Sequence, residues 1–449
     1  MTARAADTIA AVATAAGQAA IGVVRVSGAL VPQILARLTP PAMPPRVASY
    51  RSIRDLDGNV IDCGLVLFFP APYSYTGEDV AELQLHGNPV LLAHVVQLAC
   101  TLGARPARPG EFSERAYRNG KLDLAQAEAV ADLITSRSLR AARSAVRSLT
   151  GEFSERVDAL IADILAARVA CEAALDFPDD TPAELLGAAL WAPLERARAG
   201  VRNLLANARQ GVRLHSGATV AIVGAPNVGK STLLNALAGR ACAIVNDRPG
   251  TTRDVIEIDI ELDGLPLRVS DTAGLHASSD PIELEGMTRA RAAIARADLV
   301  LLVTTARESA SPEPALPPLE PTPASTIVVH NKIDAYAGCA ERRDRAEVPH
   351  VFISAKTGAG IDLLRASLRE RLGADSDDEH ESTARLRHVD ALSRAAHELA
   401  PLDEPRVAQA PELAAESLRR AARELAAIRG DDSSESLLGE IFARFCIGK

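Results

Sequence analysis

The spacing of apolar positions changes several times along the chain, and each change predicts a different kind of element. From Thr8 to about Arg118 the apolar runs are short, as in Ile21-Gly-Val-Val-Arg-Val26 and in Gly64-Leu-Val-Leu-Phe-Phe69 before Pro70, which read as strands of a compact α+β domain. From Lys121 to about Arg213 the texture is helical: Pro and Gly are missing between Leu122 and Thr150, and Leu133, Leu139, Val146 and Leu149 recur among arginines. Between Ala218 and about Leu372, β-branched runs (219–223, 255–262, 267–269, 299–303 and 326–329) alternate with helical ones, the pattern of a doubly wound α/β unit. After an acidic connector at 375–381, alanine-rich helical sequence returns. The expected organisation is an N-terminal domain over 1–118, a discontinuous α-helical domain over 119–214 and 375–449, and an α/β domain over 215–374 inserted in it. The proline-rich segment 311–323 fits neither a helix nor a central strand and is expected to be a surface loop.

Composition narrows this picture. A chain of 449 residues exceeds one ordinary core, so several domains are expected. The net charge of −9 argues against a nucleic-acid coat protein and leaves RNA contact to a local basic patch. Arg137, Arg140, Arg143 and Arg147 form one such cluster; a solvated helix face is the alternative reading. The six cysteines are scattered singly, which fits reduced thiols and a cytoplasmic location. The stretch from Ile9 to Val24 is apolar, but Asp7 precedes it and Gly17-Gln18 interrupts it, so it does not read as a secretory leader. No run reaches the roughly 18 apolar residues of a membrane span, and no membrane association is expected.

The α/β segment carries the most specific chemistry. Gly224-Ala-Pro-Asn-Val-Gly-Lys-Ser231 follows an apolar strand and precedes a helical run, the setting of a phosphate-binding loop. Backbone N–H groups from Asn227, Val228 and Gly229 to Thr232 are expected to cradle the phosphates, with Lys230 as the catalytic cation and Ser231 as a magnesium ligand. Asn331-Lys332-Ile-Asp334 follows another strand, where Asp334 accepts two hydrogen bonds that guanine offers and adenine does not. Ser354-Ala355-Lys356 fits the second base-reading loop. Asp271-Thr272-Ala273-Gly274 fits the segment that holds the magnesium shell and senses the γ-phosphate. Asn246-Asp247-Arg248-Pro249-Gly250-Thr251-Thr252 fits the first switch, with Thr252 as the second magnesium ligand. In this order and spacing the motifs point to a Ras-like P-loop GTPase. Where many GTPases place a water-orienting glutamine this chain has Leu275. Glu283 and Glu285 are candidates for that work, and an ordinary acidic helix start is the other reading.

Signatures outside the GTPase segment carry a family resemblance over essentially the whole chain. They are Tyr75-Thr-Gly-Glu-Asp79, Arg108-Pro-Gly-Glu-Phe-Ser-Glu-Arg-Ala-Tyr117, Lys121-Leu-Asp-Leu-Ala-Gln-Ala-Glu128 and Phe445-Cys-Ile-Gly-Lys449. With them the chain resembles the MnmE (TrmE) family of tRNA modification GTPases. The resemblance implies an N-terminal folate-binding and dimer-forming domain, a homodimer, and a heterotetramer with the flavin protein MnmG. Together these add a carboxymethylaminomethyl-type group at carbon 5 of the wobble uridine of certain tRNAs. It implies that Arg25, Glu82, Lys121 and Lys449 bind a reduced folate of the 5-formyltetrahydrofolate type, although the residue chemistry alone makes Arg25 an ordinary strand-end arginine. It further implies that Glu283 orients the attacking water and that Asn227, Asn246, Arg248 and Thr251 enclose a potassium ion beside the phosphates. Cys446, a lone cysteine in the short C-terminal signature, is expected to serve the modification step, with packing as a buried hydrophobe the alternative reading. Three positions depart from the family pattern: Ala19-Ala20 stands in place of glycines, His276 in place of an arginine, and Thr304-Thr305 where an aspartate is common. Two rivals share parts of this reading, a ribosome-assembly GTPase and a folate-dependent one-carbon transferase with an appended regulator. The C-terminal Phe-Cys-Ile-Gly-Lys separates the first from the expected family, because such factors often end in an RNA-binding module.

Overall fold

The computed structural model describes residues 7–448 apart from 137, 177–182, 226, 241–255, 263–264, 272–293, 295–296, 307–324, 337, 346–347, 373–383 and 432–433. The expected sites at 246–252, 272–274 and 283, the proline-rich segment, Arg137, the acidic connector and Lys449 therefore lie outside the described residues. The chain divides into two compact units, one formed by 1–131, 148–198 and 394–449 and the other by 132–147 and 199–393.

In the first unit, β1 (Ile9–Val12), β2 (Ala19–Ser27), β3 (Ser49–Arg54), β4 (Val60–Phe69), β5 (Val80–Gly87) and β6 (Arg105–Pro106) form one sheet in the order β3-β4-β5-β2-β1-β6. The apolar stretch from Ile9 to Val24 thus makes β1 and the start of β2, which pair antiparallel. Burial alternates along the strands: Gly22, Val24 and Val26 of β2 and Leu83 and Leu85 of β5 are buried, while Ile21, Val23, Arg25, Glu82, Gln84 and His86 are not. The buried face packs on α1 (Val31–Leu38) and α2 (Pro89–Thr101) through Ile34, Leu38, Leu92 and Val95. The other face is covered at β1 by a smaller cluster of Ile9, Ala11 and Phe112.

The helices that follow are α3 (Glu111–Arg118), α4 (Leu124–Thr135), α5 (Leu139–Leu149), α6 (Glu152–Asp176) and α7 (Ala183–Ser216), so the expected helical stretch after Lys121 is broken into separate helices. Gly151, at φ +99°, makes one of the breaks between α5 and α6. α3 is fastened to the sheet by a buried ionic network. Arg115 donates to the Asp7 carboxylate at 2.9 Å and to Glu78 at 3.0 Å, and Arg105 and Arg115 both reach Glu111. Burial alone would raise the Glu111 carboxyl, but these guanidinium groups and the Arg108 N–H outweigh it and bring it down to about 2.

In the second unit, β7 (Ala218–Val223), β8 (Ile256–Leu262), β9 (Leu265–Asp271), β10 (Leu299–Thr305), β11 (Ser325–Asn331), β12 (Glu341–Arg345) and β13 (Val348–Phe352) are ordered β12-β13-β11-β10-β7-β9-β8. The five inner strands are parallel and the two edges antiparallel. One face packs Val220, Ile222, Leu301 and Val329 against α8 (Lys230–Arg240) and α9 (Ile361–Leu372); Ala221, Val223, Val300 and Val328 fill the other with Ile294 and Ala297. Burial on both sides explains why these strands read as continuous apolar runs. The edge strand β12 reads Glu-Arg-Arg-Asp-Arg and carries no strand signal in its sequence; charge on an exposed edge blocks further strand addition. After this sheet in the sequence come α10 (Leu386–Leu399), α11 (Glu404–Gln409), α12 (Pro411–Arg429) and α13 (Glu435–Ala443), the last three belonging to the first unit. Among the described residues no helix is long and apolar enough to cross a membrane.

Candidate functional site

β7 runs directly into the 224–229 loop, and α8 starts at Lys230, so the first N–H groups of that helix face the loop. The Lys230 ammonium donates to the carbonyls of Gly224 at 2.9 Å and Ala225 at 3.0 Å, which holds it over the loop. Asn227 adopts a left-handed conformation (φ +61°) and Gly229 has φ +99°. At Gly229 a Cβ would stand 2.4 Å from the Asn331 amide nitrogen, so only glycine permits the approach that follows.

Asn331 is the last residue of β11, fully buried, and its side chain meets three segments. Its Nδ2 donates to the Val228 carbonyl at 2.8 Å, and its Oδ1 accepts the N–H of Lys332 at 2.8 Å and the N–H of Ala355 at 2.9 Å. One amide thereby ties the phosphate loop to both expected base-reading segments. Lys332, itself left-handed at φ +68°, donates from Nζ to the Asn227 carbonyl, while Asp334 is exposed in a single 3₁₀ turn. Ser354 is buried and accepts the Thr357 N–H at 3.2 Å, with Ala355 buried and Lys356 exposed beside it. Asp271 ends β9, and Ser231 lies in the first turn of α8 beside Thr232. These groups gather at the carboxyl ends of parallel strands, with β7 at the point where the strand order reverses, the customary ligand crevice of such sheets.

Behind Asn331, His330 points into the opposite layer of the sheet. Its ring stacks 4.4 Å from Phe352, and its Nε2 lies 2.9 Å from Nδ1 of His350. Burial first, then His350 and the cationic Arg345 and Arg343, push His330 down to about 4, so the ring is neutral near pH 7. Nothing in the linear sequence signals this pair, because the register of β11 on β13 creates it.

On the open face of the first unit, Arg25 donates from Nε and Nη2 to Glu82 Oε1 at 3.0 and 2.8 Å, across the β2–β5 register that pairs them. Its Nη1 reaches the Gly448 carbonyl at 3.3 Å, and its guanidinium lies 5.3 Å from the Tyr75 ring centre and 5.7 Å from that of Phe112. A Cβ on Gly448 would sit 2.5 Å from the Val12 carbonyl, so the C-terminal segment lies flat on the end of β1. Cys446 is exposed, its carbonyl accepting the Gly110 N–H at 3.4 Å. Arg25, Glu82 and the C-terminal segment thus come together. Lys121 makes no hydrogen bond or ion pair to Arg25 or Glu82 and stands over the Tyr73 ring at 5.8 Å. Tyr75 and Phe112, which stand beside Arg25, lie within the quoted signatures, but the sequence reading does not name them as site residues. Among the described residues no group of three His, Cys, Asp or Glu side chains is placed to hold a metal ion.

Comparison with known proteins matches residues 8–121 to the family model described as GTP-binding protein TrmE N-terminus and residues 124–446 to the MnmE helical domain. The chain is 47% identical over 443 residues to a tRNA modification GTPase MnmE from Thiobacillus denitrificans, covering 99% of this chain and 98% of that protein. It is also 47% identical over 451 residues to one from Pseudomonas aeruginosa, covering 99% of both.

Proposed function

Because the chain belongs to the MnmE family of tRNA modification GTPases, we propose that it hydrolyses GTP to drive the addition of a carboxymethylaminomethyl-type group at carbon 5 of wobble uridines. In this reading it works as a homodimer, in the cytoplasm, with a flavin-dependent MnmG-type partner. GTP binding and hydrolysis belong to the family. The observation that supports their assignment to this crevice is the Asn331 amide joining three loops around Lys230.

Lys230 exchanges its two carbonyl contacts for the β and γ phosphates, and the N–H groups from Val228 to Thr232 supply the remaining donors. Asp334 reads the guanine edge, with Ser354, Ala355 and Lys356 closing over the base. Ser231 and Thr252 would hold magnesium, with Asp271 beside them, and Asn227, Asn246, Arg248 and Thr251 would hold potassium; Glu283 would orient water. A potassium ion so held would supply the positive charge that an arginine supplies in other GTPases, and hydrolysis is then expected to run faster in potassium chloride than in sodium chloride. Equal steady-state rates in the two salts would remove the ion from the mechanism.

The Arg25–Glu82 pair is the seat we assign to a reduced folate. The donor set fits: Glu82 retains Oε2 as an acceptor for the pterin's donor edge, Arg25 holds that carboxylate in place, and the half-buried Tyr75 stands beside them. The folate supplies the one-carbon unit, and Lys121 and Lys449 add positive charge at the rim. Cys446 is exposed at this end of the chain and serves the modification step. Mass spectrometry of wobble nucleosides tests the whole reading. A deletion strain carrying the wild-type chain regains the modified uridine, and one carrying Cys446→Ser hydrolyses GTP without regaining it. Normal modification with Cys446→Ser returns that residue to packing.

A further inference from the structure

The segment that follows α13 is held at two points and raised between them. Phe445 is buried beside Phe442, their ring centres 5.3 Å apart, in the cluster that also contains Leu124 and Leu438. Gly448 lies flat against the residues that follow β1: at its φ of +94° a Cβ would stand 2.5 Å from the Val12 carbonyl and 2.7 Å from Ala13 Cα. Between these points Cys446 is exposed and Ile447 is 59% exposed. An aliphatic side chain left in water does little to hold its own backbone, so the segment relies on polar contacts. Among the described contacts these are two, both made to its carbonyls. The Gly110 N–H donates to Cys446 at 3.4 Å, and Arg25 Nη1 donates to Gly448 at 3.3 Å.

The second of these is charge-assisted, and it comes from a guanidinium that is otherwise committed to Glu82. Nε and Nη2 both donate to Glu82 Oε1, at 3.0 and 2.8 Å. The N–H groups of a guanidinium lie in one rigid plane, so the orientation that meets Glu82 also fixes where Nη1 points. Tyr75 and Phe112 flank that plane, with ring centres 5.3 and 5.7 Å from it. One rigid group therefore ties a carboxylate on β5 to the backbone of segment 446–448.

We infer that Arg25 is a latch, a positioning residue that couples occupancy of the Glu82 carboxylate to the placement of segment 446–448 and of Cys446 within it. The coupling rests on the reduced-folate reading of that seat; the latch itself rests on the contacts alone. A ligand whose donor edge lies on Glu82 Oε2 stops the carboxylate from turning. The fixed carboxylate holds the guanidinium plane, and Nη1 stays on Gly448. A filled seat thus keeps Cys446 in one place, and an empty one lets the segment lift more often about Phe445. Such coupling is reciprocal, so the seated segment raises ligand affinity by the factor with which ligand favours seating.

Two measurements on the full-length protein test the latch. The first reads the order of the Ile447 δ1 methyl by NMR relaxation, with Ile447→Val assigning the signal. Its order falls in Arg25→Ala and in Gly448→Ala, where the added Cβ meets the Val12 carbonyl, and rises in wild type on addition of 5-formyltetrahydrofolate. The second is a calorimetric double-mutant cycle with that folate. Gly448→Ala leaves Arg25 and Glu82 in place and lowers affinity by about tenfold, within the span usual for coupled sites. Arg25→Ala lowers it by about ten- to a hundredfold. The double variant is no weaker than Arg25→Ala alone, because the segment is already loose there. Additive losses, which arise if Arg25 and the segment with Lys449 meet the ligand independently, overturn the coupling. An Ile447 methyl equally ordered in wild type and Arg25→Ala overturns the latch. An absence of binding heat in wild type overturns the folate reading and the coupling to it, whereas the Ile447 comparison, made without ligand, still decides whether Arg25 holds the segment.

Discussion

In the parallel sheet both faces are buried, and the residues with chemistry stand on loops at the carboxyl ends of β7, β9, β11 and β13; in the six-stranded sheet the second face is covered at β1 by Phe112 and more open towards Ile21, and its polar side chains stand on the strands themselves. The first arrangement collects contiguous peptide segments, so a ligand there meets backbone N–H groups and loops that can reorder. The second collects single side chains from strands and a distant terminus, so a ligand meets a fixed surface. A nucleotide that must be bound, cleaved and released suits the former, and a carrier molecule held in one orientation suits the latter.

Asp334→Asn probes the loop side of this contrast most severely. Exchanging an acceptor for a donor moves preference from GTP to xanthosine triphosphate, with selectivity changing by about ten-thousandfold. Competition binding with the two nucleotides measures it, and unchanged selectivity would take base reading away from this turn.

Asn331→Ala asks whether the loops depend on their common tie. It leaves the Val228 carbonyl and the Lys332 and Ala355 N–H groups without their partner, at about 1–3 kcal/mol for each buried group. GTP affinity then falls by a hundredfold or more on the order-of-magnitude scale of 1.4 kcal/mol per decade, with folate binding untouched. A fluorescent GDP titration within fivefold of wild type, about 1 kcal/mol, would show that the loops hold without it.

Acid separates the two sheets through His330. Its folded value of about 4 lies below the unfolded value near 6.5, so the unfolded chain binds the extra proton. The stabilisation is complete above about pH 6.5 and is lost as the pH falls towards 4, to a total of up to roughly 3 kcal/mol. Urea melts of the GTPase unit's transition between these limits follow it, and His330→Phe flattens the dependence. Glu111 works in the opposite acid range: its depressed carboxyl stabilises the first unit above about pH 4.5 and fails only as pH approaches 2. The parallel sheet therefore weakens first on acidification; simultaneous loss would contradict the assignment.

Arg25→Ala gives the smallest effect and touches only the strand-borne site. Losing a charge-assisted contact of about 1.5–3 kcal/mol weakens reduced-folate binding by about ten- to a hundredfold and leaves GTP affinity as it was. Wild-type folate heats would remove Arg25 from the seat.

The same contrast governs what could be read from the sequence. The GTPase motifs are contiguous, and each follows an apolar run, so Lys230, Asn331 and Ser354 announce themselves in order. Nothing local joins Arg25 to Glu82, or either to Gly448; strand register and the course of the C-terminal segment do so, and the family resemblance supplied what spacing did not. The charged strand β12 defied its composition because edge strands are selected against aggregation as well as for pairing.

The Asn331 amide also limits how this crevice can be altered. Because the phosphate loop and the 331–334 and 354–356 segments meet at this amide, with the Lys332 ammonium on the Asn227 carbonyl beside it, loosening one of them at that point disturbs the others. Tolerance to substitution belongs instead to exposed side chains such as Asp334 and Lys356, which can change without dismantling that frame.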